Sequence, residues 1–341
     1  MPFPLRRKLC SALVLFGLSM PGDAGAEAEP IFPVVDLHVD LPYQLGFHGK
    51  PLREGSGQAS LAKLRAGAFQ GVVLPLFVPR VVSPTGPRAI DLEQQYLRVL
   101  QELLSPAAGF ALPGCGTTKA LSTWLSFEGA GPLAQAPESL TAWVARGVRI
   151  VGLVHTEHNA LASSSGDKRP VTYGLTEAGH ELVRRAHELG VPVDVSHASD
   201  RTVGDVLALA RETGGVVVAT HSNARRLADH PRNLTDEQLR GIAATGGVVG
   251  LNFHQPFVIR GRPARHDDVV KQALYLVKQA GIEHVAIGAD FEGGIRPAQG
   301  LEDASKLPAL ARALRKAGLS DRALAKVFSQ NALRVLCPSG N

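Results

Sequence analysis

The sequence predicts a single-domain (β/α)₈ barrel of the TIM type, and three observations carry that prediction. Eight short apolar runs rich in β-branched residues alternate with longer helical patterns, which is how parallel βα units read and not how a sandwich reads. Eight such strands close a barrel without leaving an edge. A chain of 341 residues with 45% apolar content can also bury one large core, and no linker, low-complexity tract or internal repeat beyond the βα unit divides it.

The candidate strands are Val34–Asp40, Gly71–Val78, Ser122–Glu128, Val148–His155, Val191–His197, Val216–His221, Gly247–Phe253 and His284–Asp290. Between them the helical segments carry their own punctuation. Thr176 to Leu189 opens on Thr-Glu-Ala-Gly and stops at Gly190, and Asp200 to Arg211 stops at Gly214-Gly215. Thr235-Asp236-Glu237-Gln238 pairs a Thr cap with Gln at the third helical position. Asp267 to Ala280 and Leu301 to Ala317 are amphipathic, and Asp321 to Leu336 closes the chain. Longer irregular stretches are expected at Pro42–Ser60, Pro79–Ile90 and Leu161–Gly174, after strands one, two and four, on the face where barrel enzymes carry their sites.

Residues 1–26 read as a secretory signal peptide, leaving 27–341 as the barrel. Arg6, Arg7 and Lys8 precede an apolar run from Leu9 to Met20, and Ala24 and Ala26 stand two apart in a small-residue stretch. Pro21 and the glycines end the run too early for a comfortable membrane span, so the expected product is exported, periplasmic or secreted, with no stable membrane span. The net charge of +5 partly reflects these first basic residues. No later segment gathers Lys and Arg with interleaved aromatics, which argues against nucleic acid as a partner. Past the signal only Cys115 and Cys337 remain; they permit one internal disulfide, which sequence does not decide, and any metal must be held by His and carboxylates.

Metal-binding and acid–base residues end six of the eight predicted strands: His38 and Asp40 the first, Glu128 the third, His155 the fourth, His197 the fifth, His221 the sixth and Asp290 the eighth. Chance placement of twelve histidines would not favour strand ends in this way, and in a closed barrel these positions converge on one mouth. His38-Val39-Asp40 turns two ligand-type side chains to one side of a strand. Glu128, after an apolar strand and with no adjacent Lys or Arg, is either a buried carboxylate in need of a partner or a ligand. His197 and His221 end consecutive strands, so their imidazoles are expected to be neighbours. Neutral imidazole with carboxylate suits zinc or a similar divalent ion. Two metals sharing a bridging carboxylate and a bridging water would make a nucleophile at neutral pH, with Asp290 left as general base. The other eight histidines lie in loops, in helices or at a strand start, and are read as bystanders.

These residues resemble the membrane (renal) dipeptidase family of zinc metallopeptidases, within the amidohydrolase superfamily, over Asp36 to Leu336. The resemblance is carried by Asp36-Leu37-His38-Val39-Asp40-Leu41-Pro42, Val191-Pro192-Val193-Asp194-Val195-Ser196-His197, His221-Ser222-Asn223-Ala224-Arg225, His230 to Glu237, Gly288-Ala289-Asp290-Phe291-Glu292-Gly293 and Asn331 to Val335. It implies a dipeptidase holding two Zn²⁺ ions, one on His38, Asp40 and a bridging Glu128, the other on Glu128, His197 and His221. It further implies that His155 faces the scissile carbonyl and that Arg232 holds the substrate's terminal carboxylate, a task suited to a fork-shaped, permanently charged guanidinium. The chain departs from the family pattern at Gly71–Phe77, where relatives carry a Gln-Phe-aromatic segment, at Gln330-Asn331-Ala332 in place of a Gly-Asn-Phe type, and at Phe291-Glu292 where Phe-Asp is usual. Two alternatives stay open: a related amidohydrolase on another small amide, such as an N-acyl amino acid or a β-lactam, and a non-catalytic binding protein on a degenerate barrel. A homodimer is compatible with the sequence, which does not decide it.

Overall fold

A computed structural model describes Met1 and residues 30–79, 86–105, 109–111, 114–115 and 120–337. Apart from Met1, the expected signal segment lies outside the described residues, and Ile31–Asn341 forms one compact unit. Within it eight parallel strands close in sequence order: β1 (Val34–Asp36), β2 (Phe69–Leu76), β3 (Ser122–Glu128), β4 (Val148–Gly152), β5 (Val193–Asp194), β6 (Val217–Ser222), β7 (Val249–Leu251) and β8 (Val285–Ile287). The last of these pairs back to the first through Asp36 and Ile287.

The helices lie between these strands and after the last of them. They are α1 (Leu41–His48), α2 (Leu61–Ala66), α3 (Ala89–Leu103), α4 (Leu140–Ala145), α5 (Glu177–Glu188), α6 (Asp200–Thr213), α7 (Asp236–Ala244), α8 (Gln255–Val258), α9 (His266–Ala280), α10 (Leu307–Lys316), α11 (Asp321–Ala325) and α12 (Asn331–Leu336). The caps read from sequence form. Thr176 accepts from the Gly179 amide at the start of α5, and Thr235 and Gln238 make the reciprocal pair that opens α7. Gly214 adopts the left-handed conformation that stops α6.

All eight strand positions were correctly placed, but most of the regular strands are shorter than expected at their C-terminal ends. The chain leaves the ladder where it flares into the mouth and continues in irregular but bonded paths. Val39 donates to the Val73 carbonyl at 3.0 Å and Asp40 to that of Phe291 at 2.8 Å, although β1 ends at Asp36. The stretch expected to be irregular from Pro42 folds in part into α1, whose first turn holds Pro42 and which Gly49 ends in the left-handed region. The last helix is broken by a widened turn over Lys326–Gln330, which brings Asn331 Nδ2 to the Ile282 and Val285 carbonyls at 2.7 and 2.8 Å.

Two apolar layers fix the barrel. The larger fills the space between strands and surrounding helices. The smaller gathers Val35, Val73, Trp124, Ile150, Val218 and Ala286 from around the barrel against Ala332, Val335 and Leu336 of α12, so the closing helix plugs the end opposite the polar mouth. A Cys115–Cys337 disulfide ties the end of α12 to the segment before β3.

Close packing between strands is sharpest around the Thr220 carbonyl. A Cβ added at Gly250 or Gly288 would lie 1.9 or 1.8 Å from that oxygen, so β6, β7 and β8 approach only because both positions lack a side chain. Gly288→Ala should therefore lower the unfolding free energy of the metal-free protein by about 1–3 kcal/mol, read as a reduced denaturant midpoint. An unchanged midpoint would contradict this account of the packing.

Candidate active site

The seven residues expected at the mouth meet there, and Arg232 joins them. Glu128, the last residue of β3, turns Oε1 toward four imidazoles. The Nε2 atoms of His197, His38, His155 and His221 lie 2.9, 3.5, 3.6 and 3.7 Å from it. His38 Nε2 also lies 3.5 Å from Asp40 Oδ2, so the two residues share a side as alternation predicted. The loop after β8 brings Asp290 beside Asp40: its backbone, at φ 67°, is in the left-handed region. Asp36 draws the ends of β1 and β8 together by accepting from the amides of His38 and Ala289, both at 3.0 Å.

The donor atoms form three groups, each within 4.8 Å: His38, Glu128 and His221; Glu128, His155 and His197; and His38, Asp40 and Asp290. This grouping adds His155 and Asp290 to the ligand set implied by the family and distributes the histidines differently around Glu128.

The chemistry of these residues fits divalent cations. One carboxylate oxygen has two lone pairs in its plane and cannot satisfy four imidazole nitrogens by hydrogen bonding. Among the described residues, the buried His38 Nε2 has no hydrogen-bond partner. Asp40, Glu128 and Asp290 are buried with Arg232 as the nearby guanidinium, an excess of negative charge that a low-dielectric site does not tolerate without a cation. A Cβ at Gly293 would fall 2.6 Å from Asp40 Oδ2 and 2.7 Å from Asp290 Oδ1, so that glycine leaves the space between the two carboxylates clear.

Electrostatics separate the histidines: burial opposes charge on His38, yet Asp40 and Glu128 hold its imidazole well above the ordinary pKa. Burial holds the His197 and His221 imidazoles well below their ordinary pKa, assisted by Arg232 beside the first and by His38 beside the second; the neutral ring is the form that ligates a metal. Burial works against charge on Glu128, yet His155, His38 and His197 hold its carboxyl well below the usual range. Burial pushes Asp290 well above that range, and Asp40 pushes it in the same direction.

Several contributors were missed by sequence reasoning. Asn252, just past β7, donates from Nδ2 to Asp290 Oδ2 at 2.9 Å and is itself held by Asn223. It fills the polar strand-end position that β7 lacked, and its place at the end of an apolar strand was the available signal. Phe77 stacks on His155, and His155 on His197, with ring centroids 4.2 and 4.3 Å apart. Glu292, fully buried at φ 74°, accepts from the amides of Ser56 and Ala59 and fixes the loop before α2. The histidines read as bystanders hold backbone where they bond inward: His230 and His254 accept the amides of Arg232 and Arg296.

Arg232 is only 8% exposed and lies over the Phe257 ring at 5.4 Å. One terminal nitrogen donates to His197 Nε2 at 3.1 Å, while the other, NH1, has no partner among the described residues. Beside Glu128 and His155 opens a cavity of about 610 Å³, lined by Phe77, Val78, Pro79 and Pro87 on its apolar side and by Thr156 and Arg169 on its polar side.

Comparison with known proteins places this geometry. Residues 29–338 match the family model described as membrane dipeptidase, peptidase family M19. A dipeptidase of Clonostachys rogersoniana is 32% identical over 327 residues, spanning 89% of this chain and 83% of its own. A protein of Schizosaccharomyces pombe named as an uncharacterized dipeptidase is 31% identical over 330 residues, spanning 89% of this chain and 80% of its own. Among solved structures, a Rhodobacter sphaeroides metallopeptidase liganded with a phosphinate mimic of the dipeptide L-Ala-D-Ala superposes with a TM-score of 0.78 at 26% identity, covering 90% of this chain and 99% of its own. The chain belongs to the membrane dipeptidase family, a family of metallo-dipeptidases in the amidohydrolase superfamily.

Proposed function

We propose that the protein is an exported dipeptidase using two Zn²⁺ ions, with Arg232 selecting substrates that carry a free terminal carboxylate. The observation that carries this reading is the buried guanidinium at the mouth, one of whose terminal nitrogens has no partner among the described residues. A buried cation left in that state is costly unless a ligand completes it, and a carboxylate is the geometric match. The dipeptide mimic bound by the Rhodobacter sphaeroides relative supports the same substrate class.

His38, Asp40 and Glu128 would hold one ion, and Glu128, His197 and His221 the other. The chemistry such a pair supplies when bound is Lewis acidity and a water that ionises near neutral pH. The chain's own residues then have separable tasks. Thr156 Oγ1 stands 2.7 Å from His155 Nδ1; donation from this hydroxyl leaves a proton on Nε2, which can stabilise charge developing on the scissile carbonyl oxygen. Asn252 occupies Asp290 Oδ2, so Oδ1 is the atom that receives a proton and returns it to the departing amine. Export is supported by the Arg6–Lys8 and Leu9–Met20 pattern and by the Cys115–Cys337 disulfide, a bond that persists in oxidising compartments. Among the described residues no helix is long and apolar enough to cross a membrane.

Asp290→Asn should lower kcat by about 10²-fold or more while metal content, measured on the same preparation, stays near that of the parent. Near-normal turnover would remove Asp290 from the proton path. Arg232 tests the substrate class. Its charge-assisted contact should contribute on the order of 1.5–3 kcal/mol, so Arg232→Ala should reduce kcat/KM for a dipeptide roughly ten- to a hundred-fold. On the C-terminally amidated dipeptide, already poor for the parent, the substitution should change little. Equal losses on both substrates would make Arg232 structural and favour a broader amidase.

A further inference from the structure

We infer that the Thr220 hydroxyl, oriented by Asp194, is a positioning device that sets the tautomers of His221 and His38 and so presents both Nε2 atoms to metal; this rests on the metal-binding role proposed above. Asp194 closes β5, and its Oδ1 is occupied by three donors: the Ser196 amide at 2.9 Å, the Ser196 hydroxyl at 2.6 Å and the Thr220 amide at 3.0 Å. Its Oδ2 lies 2.6 Å from Thr220 Oγ1. A carboxylate only accepts, so the single hydroxyl proton of Thr220 is committed to Asp194.

With that proton spent, Oγ1 has only lone pairs to offer its other neighbours. His221 Nδ1 lies 2.8 Å away and His38 Nδ1 3.3 Å away. Each ring can bond to Oγ1 only by donating from Nδ1, which in the neutral, metal-binding form of the imidazole leaves Nε2 unprotonated. Those two Nε2 atoms are the ones facing Glu128 at 3.7 and 3.5 Å. The Ser196 hydroxyl repeats the device one step away, donating to Asp194 and accepting the His221 amide at 3.1 Å.

The fold keeps this hydroxyl in place. Thr220 is fully buried, its amide is pinned by Asp194, and its carbonyl is clamped against Gly250 and Gly288, neither of which has room for a Cβ. A ring nitrogen that donates to a fixed acceptor on its far side is the usual way a ligating histidine is oriented. In this site one hydroxyl does so for two rings, one on β6 and the other just past β1.

The test uses zinc affinity of the full chain, measured by competition with a chromophoric chelator, with thermal unfolding of the metal-free proteins run in parallel. Thr220→Val keeps the shape and removes the acceptor, and should weaken zinc binding by about ten- to a hundred-fold, whereas Thr220→Ser should restore most of it. Asp194→Asn is the sharper variant. The amide carbonyl must face the donors now around Oδ1, so its NH₂ faces Thr220 and turns the hydroxyl proton toward the imidazoles. Zinc affinity should fall at least as far as in Thr220→Val, and adding Thr220→Val to Asp194→Asn should cause no further loss. Parent-like affinity in either single variant, or a Thr220→Ser protein as weak as Thr220→Val, would overturn the inference. Failure of the parent itself to bind zinc would instead overturn the metal-binding reading on which it rests. If Thr220→Val does not fold, the comparison of Thr220→Ser with Asp194→Asn decides by the same criteria.

Discussion

Four imidazole nitrogens crowd one oxygen of Glu128, between 2.9 and 3.7 Å away, in a site where that carboxylate is only 6% exposed. Hydrogen bonding alone cannot satisfy this arrangement, and the rest of the mouth is organised around it. His38, His155, His197 and His221 come from segments near or beyond the ends of β1, β4, β5 and β6, so their convergence requires the barrel to close in register. Closure in turn depends on the absence of side chains at Gly250 and Gly288, where three strands meet. A requirement of the site is thus transmitted to backbone packing some way below it.

The same dependence explains why regular strand ends early. Asp290 and Glu292 both adopt left-handed backbone conformations, which non-glycine residues accept only when the surroundings fix them. At Asp290 the turn brings a carboxylate beside Asp40. At Glu292 it turns a buried carboxylate toward the amides of the loop before α2. The two strained residues bracket Phe291, whose carbonyl accepts the Asp40 amide. Strain on the eighth strand's loop and the placement of Asp40 after the first strand are therefore one feature.

Much of this was legible in the sequence because a parallel barrel writes itself as repetition. Apolar runs marked the eight strands, and the polar residues at their ends marked the mouth: Glu128 ends β3 and His221 is the penultimate residue of β6, while His197 follows the shortened β5 by three residues. What stayed hidden depends on proton direction and on contacts distant in sequence. Asp194 and Thr220 read as ordinary polar residues of buried strands until the 2.6 Å bond between them is seen. Asn252 and Phe77 act through neighbours on other strands. Arg232 has no local pattern that would bury it, and only its family motif marked it out. Helix α1 was missed because Pro42 reads as a break, although proline suits the first turn of a helix.

The proposed function has Glu128, which borders two of the three donor groups at the mouth, serve two ions at once. Its most direct test is the zinc stoichiometry of metal-free protein, by calorimetric titration, for the parent and for Glu128→Gln. The account predicts two tight equivalents for the parent, and in the variant a weakening of both, each by more than the roughly tenfold that a change outside the ligand set causes. A parent that takes up a single equivalent, or a variant that keeps one of two at parental affinity, would contradict it.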